Sequence, residues 1–520
     1  MRKFSFAILF SLLCCCLTAR FSFADTPDDL YRNYYEIFVY SYYDTDGDGI
    51  GDLKGVEEKL DYIADMGFTG IWLMPVMPSP SYHKYDVTDY QDIDPQYGSL
   101  ADFQSLTDAC HERGIRLIID LVMNHSSSEH PWFLEACDYL RSLADGKEPD
   151  AAQCPYVAYY HFSKETVSDA WHPVDGTEWF YEGSFGPHMP DLNLGCEDLK
   201  KEIEKIASFW IEKGVDGFRI DAALHFEESS TDFNVETLNW LYSYCLQEDP
   251  DFYMVSEVWD GEQIIAGYYA SQTPSMFDFP LSGAEGALCK AARGDGSVSK
   301  LVKTMQRLEE LYGGVYPAFI DAPFLTNHDQ PRIANALSGD PDALKIAGGL
   351  LLMMGGNPFV YYGEEIGMKS DGKEDENKRL PMNWSSDPEA KGITAGPPNC
   401  NKDYEQKLPS QEEQLEDPDS VLHYYKRALE LRNRVPEIAR GKTEVVEDLC
   451  DRTQAVIIKN RNDSYIGIVY NTGDEAVQID VNGTDLIYGQ LEGALTLHPD
   501  EQILYENGIL EMPARSIAVV

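Results

Sequence analysis

The stretch Arg116-Leu-Ile-Ile-Asp120-Leu-Val-Met-Asn124-His125 joins a strand-like apolar run to an acidic or amide-rich end. Three later clusters also stand at the ends of strand-like runs, namely Gly217-Phe-Arg219-Ile-Asp221, Glu257-Val-Trp259-Asp260 and Asn327-His328-Asp329. In a barrel of parallel strands, the carboxyl ends of all the strands meet at one face. Closure of such a barrel would therefore bring Asp221, Glu257 and Asp329 into one pocket.

Strand-like runs alternate with amphipathic, helix-like segments over most of the chain, from Tyr35 to Gly367. Eight runs of this kind occur, over residues 35–42, 67–74, 116–122, 214–221, 252–257, 275–281, 316–326 and 358–362. The helix-like segments between them include residues 100–112, 200–213 and 299–312. Alternation at this count predicts an α/β fold, the (β/α)8 TIM barrel.

The alternation is interrupted after His125, because the next helix-like segment begins only near Asp198. The intervening residues are rich in Trp, Tyr, His and Pro, and they predict an inserted domain over residues 126–195, after the third strand. The barrel itself is expected to span residues 25–435. Beyond it, short alternating runs separated by turn residues predict a C-terminal all-β sandwich domain over residues 436–520.

The chain has 520 residues and a net charge of -48, from 89 acidic and 41 basic side chains. This balance argues against nucleic acid as a partner, because phosphate binding requires positive charge. The charge indicates either a soluble, self-repelling surface or adaptation to salt, and the sequence leaves both interpretations open. A hydrophobic content of 43% is ample for a buried core.

Residues 1–24 have the pattern of a secretion signal. Arg2 and Lys3 supply the positive start, an apolar run covers residues 4–17, and Ser22-Phe-Ala24 offers small residues for cleavage. The apolar run is short for a membrane span, and no later stretch is long and apolar enough to cross a membrane. The pattern predicts a secreted, periplasmic or extracellular protein, with an uncleaved anchor as the alternative.

The loop Asp44-Thr-Asp46-Gly-Asp48-Gly-Ile50-Gly-Asp52 carries carboxylates at alternate positions. Glycines between them permit a tight curl, so the loop offers an oxygen cage for Ca²⁺ to which Ile50 contributes its backbone carbonyl. An EF-hand requires a Glu at position twelve, where this loop has Gly55. We therefore expect a single structural calcium loop, and the alternative is a merely acidic turn. The expected ligands are Asp44, Asp46, Asp48, Ile50 and Asp52.

The three clustered carboxylates suit different tasks in hydrolysis of a sugar bond, which requires a pair of them. Arg219 lies two residues before Asp221 on the same strand face and would keep that carboxylate ionised, as a nucleophile requires. The structural alternative for this pair is a buried ion pair. Glu257 follows apolar residues, and a partly apolar site raises the pKa of a Glu so that it can donate a proton. Asp329 is expected to grip sugar hydroxyls and to stabilise positive charge in the transition state.

Histidine and tyrosine side chains near the strand ends are candidates for sugar binding. His125 and His328 stand beside the carboxylates and would donate hydrogen bonds to the same sugar. Tyr82-His83-Lys-Tyr85-Asp86 follows the second strand, where Tyr85 would stack on a sugar ring and Asp86 adds a carboxylate. Each of these side chains, taken alone, has an ordinary structural interpretation as well.

In combination and in this order, the motifs closely resemble the α-amylase family of glycoside hydrolases, over nearly all of the chain from Tyr35 onward. The resemblance implies a (β/α)8 barrel, a B domain after strand three and a C-terminal β-sandwich. It also implies a retaining mechanism with Asp221 as nucleophile, Glu257 as acid/base and Asp329 as transition-state stabiliser. The residues that would bind the sugar at the cleavage position are Tyr85, Asp86, His125, Arg219, His328 and, within Lys378-Arg-Leu-Pro-Met-Asn383-Trp, Arg379.

Finer motifs bear on specificity. Met189-Pro-Asp191-Leu-Asn193 resembles a subgroup between oligo-1,6-glucosidases and neopullulanases that includes α-amylases, and Ala222 resembles α-1,4-acting members. Many α-amylases have Lys-His after the nucleophile, but this chain has Leu224-His225 and so lacks the sugar contact of that Lys. The resemblance also admits a second Ca²⁺ at Asn124, Asp191 and the carbonyl of His225, although oligoglucosidase-like relatives keep similar residues without that ion.

The sequence thus predicts a secreted, monomeric, calcium-stabilised α-glucan hydrolase, an α-amylase that acts on starch, glycogen or maltodextrins. An exo-acting α-glucosidase or oligo-1,6-glucosidase, or an α-glucan transglycosylase, would use the same catalytic residues. A non-catalytic carbohydrate-binding protein on the same fold is the alternative from another class. Such proteins usually lose a catalytic carboxylate, whereas all three are present here.

Overall fold

The computed structural model describes residues 29–144, 146–166, 168–401 and 404–520, so the signal predicted over residues 1–24 lies outside the described residues. The strands in chain order are β1 (Tyr34–Ile37), β2 (Gly70–Leu73), β3 (Arg116–Leu121), β4 (Phe162–Ser163), β5 (Trp171–Pro173), β6 (Phe180–Glu182), β7 (Gly217–Ile220), β8 (Tyr253–Ser256), β9 (Ser275–Met276), β10 (Phe359–Tyr361), β11 (Lys442–Val445), β12 (Gln454–Arg461), β13 (Ser464–Asn471), β14 (Val477–Asp480), β15 (Gly493–Leu495), β16 (Leu504–Glu506), β17 (Ile509–Met512) and β18 (Ser516–Val519). The helices are α1 (Leu53–Glu58), α2 (Leu60–Met66), α3 (Leu100–Glu112), α4 (Pro131–Ser142), α5 (Glu197–Glu212), α6 (Thr231–Glu248), α7 (Glu262–Tyr268), α8 (Ala287–Arg293), α9 (Val298–Val315), α10 (Ile333–Ala336), α11 (Pro341–Leu352), α12 (Asp375–Lys378), α13 (Gln411–Leu415), α14 (Val421–Arg434) and α15 (Glu437–Arg440).

A curled sheet of parallel strands forms the centre of the molecule, in the order β10-β1-β2-β3-β7-β8-β9. The register places Glu36 beside Trp72, and Arg219 beside Asp120 on one side and Val255 on the other. β2, β7 and β8 are buried along their whole length. Burial on both faces is expected of barrel strands, because helices cover the outside and side chains fill the inside. The predicted (β/α)8 fold class is confirmed.

Amphipathic helices cover the outside of the sheet. α3 begins at a capping box, in which the side chain of Ser99 accepts a hydrogen bond from the Asp102 amide and the Asp102 carboxylate accepts one from the Ser99 amide. α5 buries a stripe that includes Ile203, Ile206 and Trp210, at the spacing of one helix face. These helices set where each following strand enters the barrel, and so where its carboxyl end lies.

The barrel closes without a regular strand at the seventh predicted position, residues 316–326. Two isolated parallel bridges connect this segment to its neighbours, Phe277 with Ala322 and Phe324 with Phe359. The Phe359 amide donates to the Pro323 carbonyl at 2.9 Å, but Pro323 has no N–H of its own to extend a ladder. The prediction of a continuous strand over 316–326 was therefore wrong, although the segment still fills the remaining place in the barrel.

The insertion after β3 contains a small antiparallel sheet, in the order β4-β6-β5, beside α4. Two isolated bridges join the end of the insertion to earlier residues, Asp191 to His125 just before the insertion and Leu192 to Tyr160 in its middle. The inserted domain after the third barrel strand is therefore confirmed as part of the fold. Its last residues lie directly beside His125, at the carboxyl end of β3.

The C-terminal part of the chain forms two sheets, a five-stranded one in the order β11-β12-β13-β18-β15 and a three-stranded one in the order β14-β17-β16. Val456, Val469, Ile479 and Leu510 are buried together in one apolar cluster of this part. This arrangement confirms the predicted C-terminal all-β unit, while the residue boundaries given for the domains stay predictions. Across the described ranges, no helix combines the length and apolar character needed to cross a membrane.

Candidate active site

Arg219 is the centre of a buried ionic cluster at the carboxyl ends of β3, β7 and β8. Its Nη1 atom donates to Asp120 Oδ1 at 2.5 Å and to Asp221 Oδ1 at 2.6 Å, and its Nη2 atom donates to Glu257 Oε2 at 2.8 Å. Arg219 and Asp221 point to the same side because strand residues two apart share a face. One guanidinium thus makes Asp221 and Glu257 neighbours, as the sequence predicted.

Burial dominates the proton affinity of the two neighbouring carboxyls. Burial raises the pKa of Asp221 above its ordinary value, while the Arg219 guanidinium acts in the opposite direction. Burial also raises the pKa of Glu257, again opposed by Arg219. The Ala222 amide donates to Glu257 Oε2 at 3.1 Å and fixes that carboxyl beside the end of β7. The expected rise at Glu257 is present, whereas the ionising effect of Arg219 on Asp221 is outweighed by burial.

Asp120 supports the cluster from β3. Its Oδ2 atom accepts a hydrogen bond from the Trp72 indole at 2.8 Å, and its other oxygen binds Arg219. Burial raises the pKa of Asp120 to about 7, with Arg219 opposing the rise. Asp120 therefore holds the guanidinium from behind, a role that the sequence motif did not specify.

His328 lies between two carboxylates. Its Nδ1 atom is 2.6 Å from Glu36 Oε1, and its Nε2 atom is 3.1 Å from Asp329 Oδ2. Burial disfavours the charged imidazole, but Asp329 and Glu36 together raise the pKa of His328 to about 9. Burial likewise opposes ionisation of Asp329, but His328 and then Arg379 outweigh it and hold the pKa of Asp329 below its ordinary value.

Glu36 was missed by the sequence reasoning. It is a fully buried acid in the middle of β1, between Tyr35 and Ile37. A carboxylate inside an apolar strand costs free energy unless it is paired, so its position in the sequence was itself a signal.

Arg379 and Tyr85 complete the surroundings of His328 and Asp329. Arg379 Nη2 donates to Asp329 Oδ1 at 2.8 Å, and Arg379 Nε donates to the His328 carbonyl at 3.2 Å. The Tyr85 hydroxyl lies 2.8 Å from His328 Nε2, and the two rings are nearly parallel, with 5.7 Å between centroids. The structure therefore brings Arg379 and His328 to the Asp329 carboxylate, and Tyr85 to His328.

His125 lines the same pocket, and Asp86 is buried next to it, with its Oδ1 atom 4.0 Å from Nδ1 of the lining residue His83. His125 is buried, its Nε2 atom has no hydrogen-bond partner within the described residues, and burial lowers its pKa to about 4. The Asp86 carboxylate accepts hydrogen bonds from the hydroxyls of Ser79, at 2.7 Å, and Ser81. Asp86 thus orders the loop that carries Tyr85.

A pocket of about 310 Å³ opens above the carboxylates. Its lining residues are His83, Tyr85, His125, Phe185, Met189, Asp221, Ala222, Leu224, His225, Glu257, Trp259, Asp329, Asp375 and Arg379. Trp259, two residues after Glu257, leaves 48% of its surface exposed and stacks on Phe279 with ring centroids 4.9 Å apart. Phe185 packs against His125 and His225, with 5.2 and 5.3 Å between the ring centroids. The pocket therefore has charged groups at its floor and apolar side chains at one rim.

The acidic loop after β1 brings three carboxylates together. Ligand atoms of Asp44, Asp46 and Asp48 all lie within 4.8 Å of one another. The donor set consists of hard oxygen atoms and fits Ca²⁺. Asp52 differs, because its carboxylate accepts hydrogen bonds from the Thr45 amide at 2.7 Å and the Gly55 amide at 2.8 Å and so caps α1.

The residues considered for a second cation lie at the junction of the insertion and the barrel. Asp191 Oδ2 accepts hydrogen bonds from the amide and hydroxyl of Ser184, at 3.0 and 2.7 Å. Asp191 Oδ1 is buried and has no hydrogen-bond partner in the described part of the chain. Asn124 pairs with this segment through its carbonyl, which accepts from the Leu192 amide at 2.8 Å. An oxygen ligand is thus left open beside His125.

Comparison with known proteins identifies a family for most of the chain. The family described as "Alpha amylase, catalytic domain" matches residues 36–441. Alpha-amylase 3 of Dictyoglomus thermophilum is 39% identical over 451 residues, which cover 85% of this chain and 85% of that protein. Glucan 1,6-alpha-glucosidase of Streptococcus pneumoniae is 30% identical over 513 residues, which cover 86% of this chain and 92% of that protein.

A solved structure gives the same result for the fold. Eubacterium rectale Amy13B aligns with a TM-score of 0.91 and 42% sequence identity, over 95% of this chain and 95% of that chain. The match extends through the barrel, the insertion and the C-terminal sheets.

Proposed function

The chain belongs to the α-amylase family of glycoside hydrolases, and from this premise we propose that it is a secreted hydrolase of α-1,4-glucosidic bonds in starch, glycogen or maltodextrins. The observation that carries the proposal is the Arg219 cluster, which holds Asp221 and Glu257 side by side at the floor of an open pocket. A pair of neighbouring carboxyls is what retaining glycoside hydrolysis requires. The residue after the proposed nucleophile is Ala222, which resembles α-1,4-acting members of the family and so supports this specificity.

In the proposed reaction, an Asp221 oxygen attacks the anomeric carbon while Glu257 gives its proton to the leaving glycosidic oxygen. A raised pKa suits Glu257 to this task, because the proton must be present when substrate binds. Glu257 then removes a proton from water, whose oxygen displaces Asp221 from the anomeric carbon. Two displacements at one carbon retain its configuration, and no proton or electron is left over.

Asp329 is proposed to stabilise positive charge at the sugar without a covalent bond. His328 and Arg379 hold it ionised, so the charge is in place before the transition state forms. Tyr85 would stack on the sugar ring, and His125, whose Nε2 atom is unpartnered, would hydrogen-bond a hydroxyl. Asp86 contributes through the order it gives to the loop of Tyr85.

We propose that the Asp44–Asp52 loop holds a structural Ca²⁺ through the carboxylates of Asp44, Asp46, Asp48 and Asp52 and the carbonyl of Ile50. When bound, the ion would offset the repulsion among these carboxylates and crosslink the loop. The loop contains none of the proposed catalytic groups, so hydrolysis does not pass through the ion. A second Ca²⁺ at Asn124, Asp191 and the His225 carbonyl is supported by the open oxygen of Asp191.

A second candidate function is exo-action, as an α-glucosidase or oligo-1,6-glucosidase, or glucan transfer. The relationship to a glucan 1,6-alpha-glucosidase favours keeping this alternative. A non-catalytic binding role is opposed by the presence of Asp221, Glu257 and Asp329 in one pocket.

Product analysis over time on soluble starch distinguishes these activities. An α-amylase lowers starch chain length quickly and releases mixed oligosaccharides. Glucose from the outset, with starch length barely changed, would instead show exo-action, and lengthened oligosaccharides would show transfer. The full-length Asp221→Asn variant is the negative control, because it should form none of these products.

A further inference from the structure

Tyr488 is the most exposed large hydrophobic side chain in the described part of the molecule, with 86% of its surface accessible. Tyr465, on β13, is 43% exposed. Both line a groove of about 610 Å³ where the end of α14 meets the C-terminal sheets. None of the residues that line this groove lines the catalytic pocket.

The side chains of Tyr465 and Tyr488 differ in their contacts with the rest of the protein. The Tyr465 hydroxyl donates to the Asp485 carbonyl at 3.1 Å, which ties its ring to the short turn that ends at Tyr488. The Tyr488 side chain makes no hydrogen bond or ring contact with any described residue. A ring of this size left in water loses the free energy that burial would provide, so a ligand that covers it gains that free energy.

Ordered polar groups border the rings. Gln490 Nε2 donates to Glu492 Oε1 at 2.9 Å, and Arg434 Nη2 donates to the Glu492 carbonyl at 3.0 Å. Glu437 Oε1 accepts from the Ser464 hydroxyl at 2.7 Å. The groove thus combines two aromatic faces with donors and acceptors that are already held in place, the pattern of a specific ligand site.

The charge and chemistry of the groove select its ligand class. One arginine faces two glutamates there, on a chain whose net charge is -48, so an anionic polymer would be repelled. A sugar ring presents an apolar C–H face that packs on an aromatic ring, and hydroxyls at its edge that pair with amide, guanidinium and carboxylate groups. A neutral sugar chain meets both requirements.

We propose that the groove bounded by Tyr465 and Tyr488 is a second glucan-binding site, which holds a neutral α-glucan chain away from the catalytic pocket. The proposal rests on the proposed function, since a second contact matters for a polymer that both sites can engage. Holding one polymer at two sites raises the effective substrate concentration at the pocket. Short oligosaccharides, which cannot reach both sites, would gain nothing.

The test is binding of the full-length Asp221→Asn protein to starch granules, with and without the Tyr488 ring. Tyr488→Ala should weaken granule binding by about 2- to 12-fold, the factor that corresponds to the ~0.5–1.5 kcal/mol of an aromatic contact. Tyr488→Phe keeps the ring and should bind as well as the parent. Leu504→Ala removes another exposed apolar side chain, 49% accessible, on β16, and is the matched control.

In the active protein, Tyr488→Ala should lower kcat/KM on granular starch while kcat/KM on maltotetraose stays unchanged. Equal granule binding by Tyr488→Ala and its parent would overturn the proposal. A dimer that dissociates on Tyr488→Ala, with granule binding unaltered, would also overturn it and assign the groove to a second copy of the chain. Failure of the proposed function is a separate result, seen as absence of starch hydrolysis by the unsubstituted protein.

Discussion

Glu36 Oε1 lies 2.6 Å from Nδ1 of His328, although the two residues are 292 positions apart in the chain. Both side chains are almost completely buried. The groups that face His328 are Glu36 on β1, Asp329, Tyr85, Arg379 through the His328 carbonyl, and the edge of Trp72. Asp120 and Asp221 also interact electrostatically with His328, and Arg219 interacts in the same way with Glu36. Glu36 is thus the only buried carboxylate that contacts Nδ1 among the described residues.

Glu36→Gln is expected to lower the pKa of His328 from about 9 toward its ordinary value of 6.5, because the imidazolium loses one of its two carboxylate partners. NMR titration of the His328 ring measures this directly. The folded pKa lies above the unfolded one, so the stability contributed by the protonated ring is full below pH 6.5 and is lost as pH rises through 9. The difference in unfolding free energy between parent and variant should shrink over that interval.

Glu365→Gln is the control for this effect, since Glu365 is equally buried but contacts the hydroxyls of Tyr35 and Tyr62 instead of His328. An unchanged His328 titration in Glu36→Gln would show that Glu36 does not sustain the charge of the ring.

Asp221→Asn should reduce turnover by about 10⁴-fold or more, because the amide cannot form the covalent intermediate. The variant should stay folded, since Arg219 keeps its bonds to Asp120 and Glu257. Asp216→Asn, an aspartate at the opposite end of the same strand, is the control and should retain turnover at a temperature where it is folded. Kinetics on maltooligosaccharides and circular dichroism provide the two readouts. Substantial activity in folded Asp221→Asn would remove Asp221 from the nucleophile role.

Removal of calcium should lower the melting temperature by several degrees, because an ion that binds only the folded loop stabilises it by mass action. Asp46→Ala should reproduce the loss and abolish the effect of chelator, since Asp46 is exposed and its removal disturbs no buried packing. Calorimetry with and without chelator, with metal content measured in both samples, gives the comparison. An identical melting curve after confirmed metal removal would contradict a stabilising ion at this loop.

Leu224→Lys should improve the use of longer maltooligosaccharides, because Leu224 lines the pocket beside Asp221 and an ammonium there can hydrogen-bond a sugar beyond the cleavage point. One such hydrogen bond corresponds to a decrease of about fivefold in KM, with kcat little changed. Leu224→Met preserves the apolar wall and should behave as the parent. The KM for maltoheptaose, measured against that for maltotriose, reports the contact. Equal ratios in the Lys and Met variants would show that position 224 does not face the bound chain.

The local sequence pattern predicted most of the barrel because the periodicity of a strand or a helix can be recognised from a few neighbouring residues. The runs around Asp120, Asp221 and Glu257 became strands that end where expected, and the C-terminal strands at 454–459 and 464–470 were found as β12 and β13. Pattern failed at 316–326, where apolar residues looked like a strand but Pro323 breaks the ladder. Pro323 has no N–H to donate to a neighbouring strand, and this property, which the sequence contains, disfavours a continuous strand.

Local sequence alone identifies which residue types stand at the strand ends, and with them the candidate set Asp221, Glu257 and Asp329. How these groups are held follows from the folded arrangement of the whole chain. Closure of the barrel put the carboxylates of Asp120, Asp221 and Glu257 on one Arg219 guanidinium and placed Glu36 against His328. It also left the Asp86 carboxylate hydrogen-bonded to the hydroxyls of Ser79 and Ser81. Desolvation and the choice of hydrogen-bond partner depend on what surrounds a side chain in space. Those surroundings come from segments hundreds of residues apart, which no local spacing can reveal.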